Sequence, residues 1–449
     1  MNVSRVIKDF AGFFKKAGFQ CFLVGGAVRD MVTGIEVTDY DFATDARPEE
    51  VMQLFRAVIP TGIKHGTVTV LYRGYKFEVT TFRTEGKYSD LRHPDSVEFT
   101  PSIFEDLKRR DFTINSLAYD PIKDKLLDPH SGREDLNKKL IRAIGDPDKR
   151  FSEDALRILR ACRFAAQLNF TIEEKTLRGM VGNCFKLKEI SAERISEEFQ
   201  KLILTKKPSI GFYYMDRAGI TSLILPELEA CKGVEQKGFH RFDVYEHSIL
   251  SCEGAKNDLV IRLAALFHDI GKPVSLSYLP VGEPVFYRHE EISERLTRKI
   301  LGRLKFPKKI EKEVCHLIRH HMFNYNEEWK DSAVRRFIAR VGKENIENLF
   351  HLRYADQYGI TGKRFRCSRL EAFKEHIIKV LNQENAFTIK DLDVNGNDLA
   401  IQAGVPRGKE MGTVLNYLLE TVLDDPGLNK KEKLIEIAKN YYNIYIKRG

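Results

Sequence analysis

The stretch LVGGAVRDMVTGIEVTDYDFAT, residues 23–44, predicts the fold of the first part of the chain. A short apolar strand runs into a diglycine turn, Gly25-Gly26, then a helical segment, then a second strand carrying Asp39 and Asp41. Alternate residues of a strand share a face, so the two carboxylates are expected side by side. Such a pair suits Mg²⁺, which takes carboxylates together with substrate phosphates. The glycines allow backbone N–H groups to approach a triphosphate closely. Alone, D-x-D beside a turn is more often an ordinary surface feature.

The segment EDLKRRDFTINSLAYD, residues 105–120, offers groups that suit the rest of a nucleotide. Arg109 and Arg110 supply positive charge for a triphosphate. Asp111 and Asn115 offer an acceptor and an amide that can bind ribose hydroxyls. The ordinary interpretation is a charged helix start that leads into a core strand.

A hairpin is predicted for HGTVTVLYRGYKFEVTTFR, residues 65–83, with its turn at Arg73-Gly74. Glu78 lies on its second strand, either as a third acid beside a metal or as a surface glutamate. The polar segment TEGKYSDLRHPDSVEFT, residues 84–100, predicts a mobile loop.

The segment FSEDALRILRACRFAAQLNF, residues 151–170, predicts a helix with Ser152 as its N-cap. Asp154 and Arg157 are three residues apart and would be neighbours on its surface, where an intrahelical salt bridge is the ordinary explanation. A second explanation is base recognition. Cytosine and adenine both present an amino donor beside a ring-nitrogen acceptor, which one carboxylate and one guanidinium can bind. Guanine and uracil would leave both groups unpaired, which is costly in a buried site.

These motifs resemble the G-G-x-V-R-D, D-x-D, R-R-D-F-T-x-N and E-D-x-x-R signatures of class II tRNA nucleotidyltransferases, the CCA-adding enzymes, and of their relatives the bacterial poly(A) polymerases. The resemblance implies an α+β fold, with a polymerase-β-like head containing a mixed sheet, followed by helical regions. It implies template-independent addition of C and A from CTP and ATP to the 3′ end of tRNA, with Asp39 and Asp41 as catalytic ligands of two Mg²⁺ ions. The implied nucleotide-binding residues are Gly25, Gly26, Arg29, Arg109, Arg110, Asp111, Asn115, Asp154, Arg157, Arg160 and Arg163.

A second set of metal-ligand residue types begins at His247 and includes an H-D doublet in the apolar segment LAALFHDIGKP, residues 263–273, predicted to be helical. The set resembles the HD superfamily of metal-dependent phosphohydrolases. That resemblance implies a second divalent metal, with ligands His247, His268, Asp269 and Asp356. It leaves His289 and His320 as further ligands or phosphate contacts. The alternative is a degenerate module whose histidines only pack or hold RNA.

Four regions are predicted from the motifs and the helical patterns. They are a nucleotidyltransferase head (1–140), a helical neck with the base-selecting helix (141–230), an HD-type body (231–361) and a basic tail (362–449). The neck is expected to continue with a helix capped by Ser191 and another ending at Pro226. In the tail, Tyr441, Tyr442 and Tyr445 alternate with lysines, typical of a solvated amphipathic helix. The family resemblance implies that the tail binds the tRNA elbow through phosphate contacts.

Composition narrows the class of protein. The formal net charge of +9 favours a polyanionic partner such as RNA, although a merely basic surface has the same composition. The seven cysteines form no C-x-x-C pair, which argues against a zinc cluster or a disulfide framework and predicts a cytoplasmic protein. No signal peptide or membrane-spanning run is recognisable.

Three alternatives remain open from the sequence. One is a partial enzyme that adds only CC or only A, or a poly(A) polymerase. Another is an HD phosphohydrolase whose head merely binds RNA. The third is a non-catalytic RNA-binding protein.

Overall fold

The computed structural model describes residues 4–37, 39–85, 97–236, 241–364, 367–383 and 386–447. The chain divides into two compact units. Unit 1 comprises 1–233, 257–259 and 298–311, and unit 2 comprises 234–256, 260–297 and 312–449. Most of the loop predicted for 84–100 lies outside the described residues, since 86–96 are not among them.

The sheets of the protein are concentrated in the first 130 residues. The strands are β1 Cys21–Val24, β2 Tyr40–Thr44, β3 Val58–Gly62, β4 Thr67–Tyr72, β5 Tyr75–Thr81, β6 Arg83–Glu85, β7 Val97–Phe99, β8 Ala118–Asp120, β9 Lys125–Leu127, β10 Leu140–Ile141, β11 Thr171–Ile172, β12 Leu276–Tyr278 and β13 Pro284–Phe286. Seven of them form one sheet in the order β3-β4-β5-β2-β1-β8-β9. The β2–β5 pair is parallel and the other pairs of this sheet are antiparallel, which confirms the predicted mixed sheet.

Helices make up most of the remaining chain. In the first half they are α1 Arg5–Lys16, α2 Gly26–Thr33, α3 Pro48–Leu54, α4 Ile103–Lys108, α5 Gly132–Asn137, α6 Pro147–Glu153, α7 Leu156–Leu168, α8 Glu174–Asn183, α9 Ala192–Ile203, α10 Pro208–Arg217, α11 Ile220–Ile224 and α12 Pro226–Glu229. The later ones are α13 Val244–Gly254, α14 Leu259–Phe267, α15 Lys272–Ser275, α16 His289–Arg303, α17 Lys308–His320, α18 Asp331–Val341, α19 Ile346–Thr361, α20 Ser368–Leu381, α21 Gly396–Gln402, α22 Lys409–Asp424 and α23 Lys431–Tyr441. A sheet-containing head followed by helices is the predicted fold class.

An aromatic core holds α1 against the large sheet. Phe10 is fully buried, and its ring lies 4.7 Å from that of Phe42 on β2 and 4.6 Å from that of Phe77 on β5. Phe42 follows Asp41 directly, so its burial anchors the strand and turns the adjacent carboxylate to the opposite face of the sheet. The packing of β2 therefore determines where Asp41 points.

Three predicted element boundaries are wrong. Strand β2 begins at Tyr40, so Asp39 precedes the strand and only Asp41 lies on it. The helix expected to start at Ser152 is divided, because α6 ends at Glu153 and α7 begins at Leu156. The last neck helix is likewise divided near Gly219, which adopts a left-handed conformation between α10 and α11.

The predicted hairpin is confirmed. β4 and β5 pair antiparallel, and their last partners Tyr72 and Tyr75 flank the Arg73-Gly74 turn. Both turn residues have positive φ, as two-residue hairpin turns require. Among the described helices, none is long and apolar enough to span a lipid bilayer.

Candidate functional site

Two acidic residues from neighbouring strands lie side by side in a cleft of unit 1. Asp41 on β2 is in parallel register with Glu78 on β5, and both line a cleft of about 530 Å³. Asp41 reaches the cleft solvent, but desolvation by the cleft walls and the Glu78 carboxylate raise its pKa to about 6, although Arg110 opposes this. Asp39, one residue before the strand, is exposed and also contributes to raising the pKa of Asp41. This concentration of negative charge is relieved by a bound cation.

The sequence left two roles open for Glu78, a third acid beside a metal or a surface glutamate. Its position opposite Asp41 puts it in the cleft and not on an unrelated surface. The alternation of the hairpin predicted its strand but not the neighbouring strand, since β5 pairs with β2 across more than thirty residues of sequence. The cleft therefore offers carboxylate oxygens from two strands, which are the ligand atoms that Mg²⁺ prefers.

The diglycine turn lies next to Asp41: a Cβ at Gly25 would be 3.9 Å from Asp41 Oδ2. Gly25 has φ +66°, and a Cβ there would lie 3.1 Å from the guanidinium of Arg110. A larger residue would therefore be strained by its backbone and crowded by Arg110. Helix α2 begins at Gly26, so its first N–H groups and the Arg110 guanidinium are near one another, an arrangement suited to phosphate.

Arg109 and Arg110 share one buried anion. Asp106 on α4 accepts from Arg109 NH2 at 2.7 Å and from Arg110 NH2 at 3.2 Å. Burial alone would raise the pKa of Asp106, but the two guanidiniums lower it below its usual value, so it stays ionised. Asp106 was not among the residues predicted from the sequence. Its spacing of three and four residues from the two arginines is the helical pattern that could have revealed it.

A chain of polar contacts connects the buried Arg29, Asn115 and Asp111 to the partly exposed Arg160. Arg29 NH1 donates to Asn115 Oδ1 at 3.0 Å, Asn115 Nδ2 donates to Asp111 Oδ1 at 3.1 Å, and Arg160 NH2 donates to Asp111 Oδ2 at 2.7 Å. Burial opposes ionisation of Asp111, but Arg160 and the Asn115 amide lower its pKa to about 2. All four residues line the cleft. The chain thus fixes the predicted ribose-binding pair between α2 and α7.

Asp154 and Arg157 lie at the junction of α6 and α7, and both line the same cleft. Asp154 has extended backbone angles, and its Oδ1 accepts a hydrogen bond from the N–H of Leu156 at 3.0 Å. The first N–H of α7 is therefore bound by Asp154, and not by Ser152, the predicted N-cap. Its Oδ2 accepts from Arg194 NH2 at 2.8 Å. Each oxygen of the Asp154 carboxylate therefore accepts one hydrogen bond from the protein. The break between α6 and α7 places this side chain in the cleft.

Arg157 donates hydrogen bonds to groups other than Asp154, the residue with which the sequence analysis paired it. Its NH1 donates to Glu153 Oε2 at 2.6 Å and to the carbonyl of Arg150 at 3.0 Å, and its NH2 donates to the carbonyl of Arg109 at 3.2 Å. The Arg157 side chain is about nine-tenths buried. Arg157 thereby connects the junction of α6 and α7 to the backbone of Arg109.

Helix α9 supports α7 with two residues that sequence analysis missed. Glu198, 3% exposed, accepts from Arg163 Nε at 2.6 Å, and Arg194 binds Asp154. The Arg163 guanidinium also lies 3.9 Å from the centre of the Phe164 ring. Arg194 and Glu198 are four residues apart on one face of α9, a polar pair in an amphipathic pattern. Only the packing of α9 on α7 shows what they bind.

The second predicted set of ligands converges in unit 2. The residues that meet there are His247 on α13, His268 and Asp269 in the turn after α14, His289 at the start of α16, His321 directly after α17, and Asp356 on α19. The sequence predicted that the H-D doublet lies inside a helix. In the structure the doublet directly follows α14, so this prediction is wrong. The Nε2 atoms of His247 and His268 each lie within 3.5 Å of carboxylate oxygens of both Asp269 and Asp356.

The histidine expected beside His289 was identified wrongly. His321, 1% exposed, has its Nε2 3.3 Å from that of His289, whereas the His320 ring lies 4.7 Å from the ring of His316. Consecutive residues at the end of a helix point about 100° apart, so only one of the two can face the cluster. Sequence alone gives no means to choose between them.

Close backbone contact between α13 and α19 brings His247 and Asp356 together. A Cβ on Gly359 would lie 2.1 Å from Ser251 Oγ and 2.9 Å from His247 Nδ1. Only glycine fits there without displacing α13. The Asp356 carboxylate, three residues before Gly359, thereby reaches His247 Nε2 at 3.2 Å.

Three family models match successive parts of the chain. They describe the poly A polymerase head domain (residues 21–142), the RNA and SrmB-binding site of polymerase A (169–232) and tRNA nucleotidyltransferase domain 2 (285–438). The mixed-sheet head with its acidic cleft therefore defines a nucleotidyltransferase.

Curated relatives specify the family. The CCA-adding enzyme of Ligilactobacillus salivarius is 35% identical over 432 residues, covering 95% of this chain and 93% of that protein. The CCA-adding enzyme of Pediococcus pentosaceus is 50% identical over 421 residues, 93% of each chain. The crystal structure of the Bacillus stearothermophilus CCA-adding enzyme in complex with CTP is similar over 100% of both chains, with a TM-score of 0.76 and 27% identity. The chain belongs to the CCA-adding enzyme family of tRNA nucleotidyltransferases.

Proposed function

We propose that this chain adds C and A nucleotides from CTP and ATP to the 3′ end of tRNA, using the unit 1 cleft for both catalysis and base selection. One observation carries the proposal. The acids Asp41 and Glu78, the arginine pair on Asp106 and the Asp154–Arg157 junction all line one cleft. Relatives solved with CTP, with ATP and with tRNA have the same fold.

Asp41 and Glu78 in the cleft, together with the neighbouring Asp39, suit two magnesium ions. Asp39 and Asp41 are the proposed ligands, with Glu78 beside them, and these residues supply the hard oxygen atoms that Mg²⁺ requires. When bound, such ions activate the terminal 3′-hydroxyl and stabilise the leaving pyrophosphate. Arg110, near the Gly25 turn, is placed to bind the triphosphate together with the first N–H groups of α2. Asp111 and Asn115 orient the ribose through the chain that runs from Arg29 to Arg160.

Base choice falls to Asp154 and Arg157. The carboxylate accepts from the amino group that cytosine and adenine share, and the guanidinium donates to the adjacent ring nitrogen. Arg194 and Glu153 hold these two side chains in place, so the same geometry is presented to either base. Guanine and uracil would place an acceptor against the carboxylate and a donor against the guanidinium, which explains selection without a nucleic-acid template.

The test is incorporation of one labelled nucleotide at a time into three tRNA substrates, which end before the first C, after CC and after CCA. A complete CCA-adding enzyme adds C to the first, A to the second and nothing to the third. Addition of only C or only A would replace the proposal with a partial enzyme. Runs of A on all three would make it a poly(A) polymerase.

The tail, residues 362–449, is proposed to bind the tRNA elbow. Tyr417 on α22 stacks on Tyr441 of α23 with ring centres 3.8 Å apart, and Tyr445 follows at 5.5 Å from Tyr441. Tyr445 is 69% exposed, beside basic residues that suit phosphates. Neutralising Lys439 and Lys447 should raise the KM for tRNA more than it lowers kcat; an unchanged KM would remove the tail from the binding surface.

The compartment proposed for the protein is the cytoplasm. Its seven cysteines are all free thiols, and five of them are buried. Thiols kept reduced in such number are typical of the cytosol. Fractionation of the producing cell should find the protein with the tRNA pool.

A second candidate function belongs to unit 2, because its buried imidazoles and carboxylates form a metal-ligand set. His247, His268, Asp269 and Asp356 are the proposed ligands of a divalent ion. They adjoin a cavity of about 510 Å³ that Lys272 and Arg353 also line, so an anionic substrate is favoured. The proposed reaction is metal-dependent hydrolysis of a phosphate ester. A chromogenic phosphate monoester should be cleaved by the wild type and by Asp41→Ala, and not by His268→Asn.

A further inference from the structure

One arginine outside the cleft of unit 1 binds two of the segments that form it. Arg150 lies on α6, its side chain is 13% exposed, and it is not among the described residues that line the cleft. Its guanidinium donates to the carbonyls of Lys108 at 2.9 Å and Arg109 at 3.1 Å, where α4 ends. It also donates to Glu153 Oε2 at 3.0 Å, at the end of α6. Arg150 therefore joins the end of α4 to the junction of α6 and α7.

This position gives Arg150 an effect on the cleft without contact with the nucleotide. We propose that Arg150 is a positioning residue for base selection, which fixes the guanidinium of Arg157 in register with Arg110. Arg110 is placed to bind the triphosphate, and Arg157 is the proposed donor to the base. The inference rests on the base choice proposed above and adds to it the residue that sets the geometry.

Arg150 and Arg157 share two acceptors. Glu153 Oε2 lies 3.0 Å from Arg150 NH1 and 2.6 Å from Arg157 NH1. The carbonyl oxygen of Arg109 lies 3.1 Å from Arg150 NH1 and 3.2 Å from Arg157 NH2. The main-chain carbonyl of Arg150 accepts from Arg157 NH1 at 3.0 Å. These three acceptors of Arg157 are therefore either part of Arg150 or groups that Arg150 also binds.

The planar guanidinium of Arg150 suits acceptors that lie in several directions. Its Nε donates to the carbonyl of Ile144 at 3.3 Å, so all three nitrogens of the guanidinium are used. The last carbonyls of a helix have no partner within that helix, and a cation is favourable beside them. Lys108 and Arg109 supply two such carbonyls. A lysine ammonium is a point charge and cannot bind all these segments at once.

The end of α4 continues directly into the arginine that faces the triphosphate. Arg110 NH2 donates to Asp106 at 3.2 Å, and a Cβ on Gly25 would lie 3.1 Å from Arg110 NH1. One peptide bond separates the Arg109 carbonyl, which Arg157 binds, from Arg110. The base and the triphosphate of a nucleotide are covalently joined, so both are bound well only if the two arginines keep a fixed separation.

Packing alone does not account for the arrangement. The side chains of Arg150 and Arg157 are 13% and 10% exposed, and two positive charges that share one carboxylate oxygen repel each other. Packed apolar residues could join α4 to α6 without that repulsion. What the arginine supplies is a set of hydrogen-bond directions, which orient Glu153 and the Arg109 carbonyl toward Arg157.

The test is a double-mutant cycle between Arg150 and Arg157. The value of kcat/KM on tRNA lacking CCA is measured with CTP and with UTP for the wild type, Arg150→Met, Arg157→Ala and the double variant. Arg150→Met should lower kcat/KM for CTP by about tenfold, because charged hydrogen bonds that orient Arg157 are lost. Addition of U should fall less, so selectivity decreases. In the Arg157→Ala background Arg150→Met should cost only about twofold, since the side chain through which it acts is absent.

A control and a conservative variant accompany the cycle. Lys149→Ala removes an exposed positive charge from the same helix and should leave both kcat/KM values unchanged. Arg150→Lys keeps the charge but not the planar group, so its selectivity should lie between those of the wild type and Arg150→Met. Thermal unfolding shows whether each variant is folded. If Arg150→Met is unfolded, the cycle is run with Arg150→Lys.

The outcomes separate this inference from the base choice on which it rests. Equal losses of C and U addition in a folded Arg150 variant, or additive losses in the cycle, would overturn the inference and leave base choice with Arg157. Full selectivity in Arg157→Ala would overturn the base choice and the inference together. Reduced selectivity in both single variants, with non-additive losses, is the expected result.

Discussion

The cleft of unit 1 and the cluster of unit 2 both gather carboxylates, but they surround them differently. In the cleft, Asp41 and Glu78 face solvent and are flanked by arginines. In the cluster, Asp269 is 2% exposed and is surrounded by imidazoles. Oxygen ligands open to solvent suit an ion that arrives with a nucleotide, whereas buried nitrogen ligands suit a resident transition metal. If both sites bind the ions proposed for them, the cleft would hold a transient ion and the cluster a permanent one.

The largest effect should come from removing the carboxylate of the cleft. Asp41→Ala should lower nucleotide incorporation at least about 10³-fold, since several kcal/mol of transition-state stabilisation depend on the ion that it holds. The measurement is single-turnover addition of labelled C to tRNA lacking CCA.

The matched control is Asp9→Ala, which removes a surface carboxylate paired with Arg73 in the same region. Its incorporation rate should be unchanged, and the metal content of unit 2 should be the same in both variants. Incorporation by Asp41→Ala at the wild-type rate would refute the role of the cleft and with it the contrast between the sites.

The next largest effect concerns base choice. Arg157→Ala should lower kcat/KM for CTP and for ATP by about 10²-fold, because the ring nitrogen of the base loses its donor in a buried site. Selectivity against UTP should fall at the same time. The comparison is of kcat/KM for all four nucleotides.

Arg178→Ala is the control, since this exposed arginine lies on neighbouring helix α8. Equal losses for every nucleotide, with selectivity retained, would make Arg157 a structural residue of the helix junction and leave base choice to other groups.

A smaller effect follows from the pKa of Asp41, about 6. Below that pH the carboxyl group is protonated and neutral, so it no longer binds a cation. At limiting Mg²⁺ the incorporation rate should fall by about tenfold per pH unit below 6, and higher Mg²⁺ should move the midpoint to lower pH, since metal and proton compete.

Glu78→Gln sharpens this prediction. Removing the neighbouring charge should lower the pKa of Asp41 and shift the midpoint of the pH profile downward, when both proteins are measured at the same limiting Mg²⁺. A midpoint that stays at pH 6 in this variant would mean that another group is titrating.

The smallest expected change is in metal exchange at unit 2. Brief treatment with chelator should stop nucleotide addition at once, and Mg²⁺ should restore it completely. Mn²⁺ loaded beforehand into the proposed unit 2 site should remain bound over the same time, because His247, His268 and Asp269 are almost wholly buried. Elemental analysis after rapid desalting provides the measurement, and prompt loss of manganese would erase the difference between the sites.

Much of the cleft was predictable because its residues lie in short motifs. Gly25, Asp41, Arg110 and Asp154 are all close in sequence to partners that share their chemistry, and the structure brings them to one cleft. Glu78 was left open because its neighbour Asp41 is on β2, a strand outside the β4–β5 hairpin that carries Glu78. Arg194 was missed because its partner lies 40 residues away. Residues joined only by packing leave no local pattern.

The unit 2 cluster shows the same limit more sharply. The H-D doublet and the isolated His247 and Asp356 were recognisable by residue type, but His321 was passed over for His320. One residue at a helix end changes the direction of a side chain by about 100°, and the packing of α17 decides which direction faces inward.

The sequence by itself determined the chemistry that this chain can perform, since residue types and short spacings specify which groups are acids, bases and ligands. It also determined that the head contains a sheet and that helices follow it, because hydrophobic periodicity is local. Only the tertiary structure decided which carboxylates and guanidiniums meet, where α7 begins, and that Asp269 lies beside four histidines. Those outcomes depend on contacts between distant segments, whose packing no single stretch encodes.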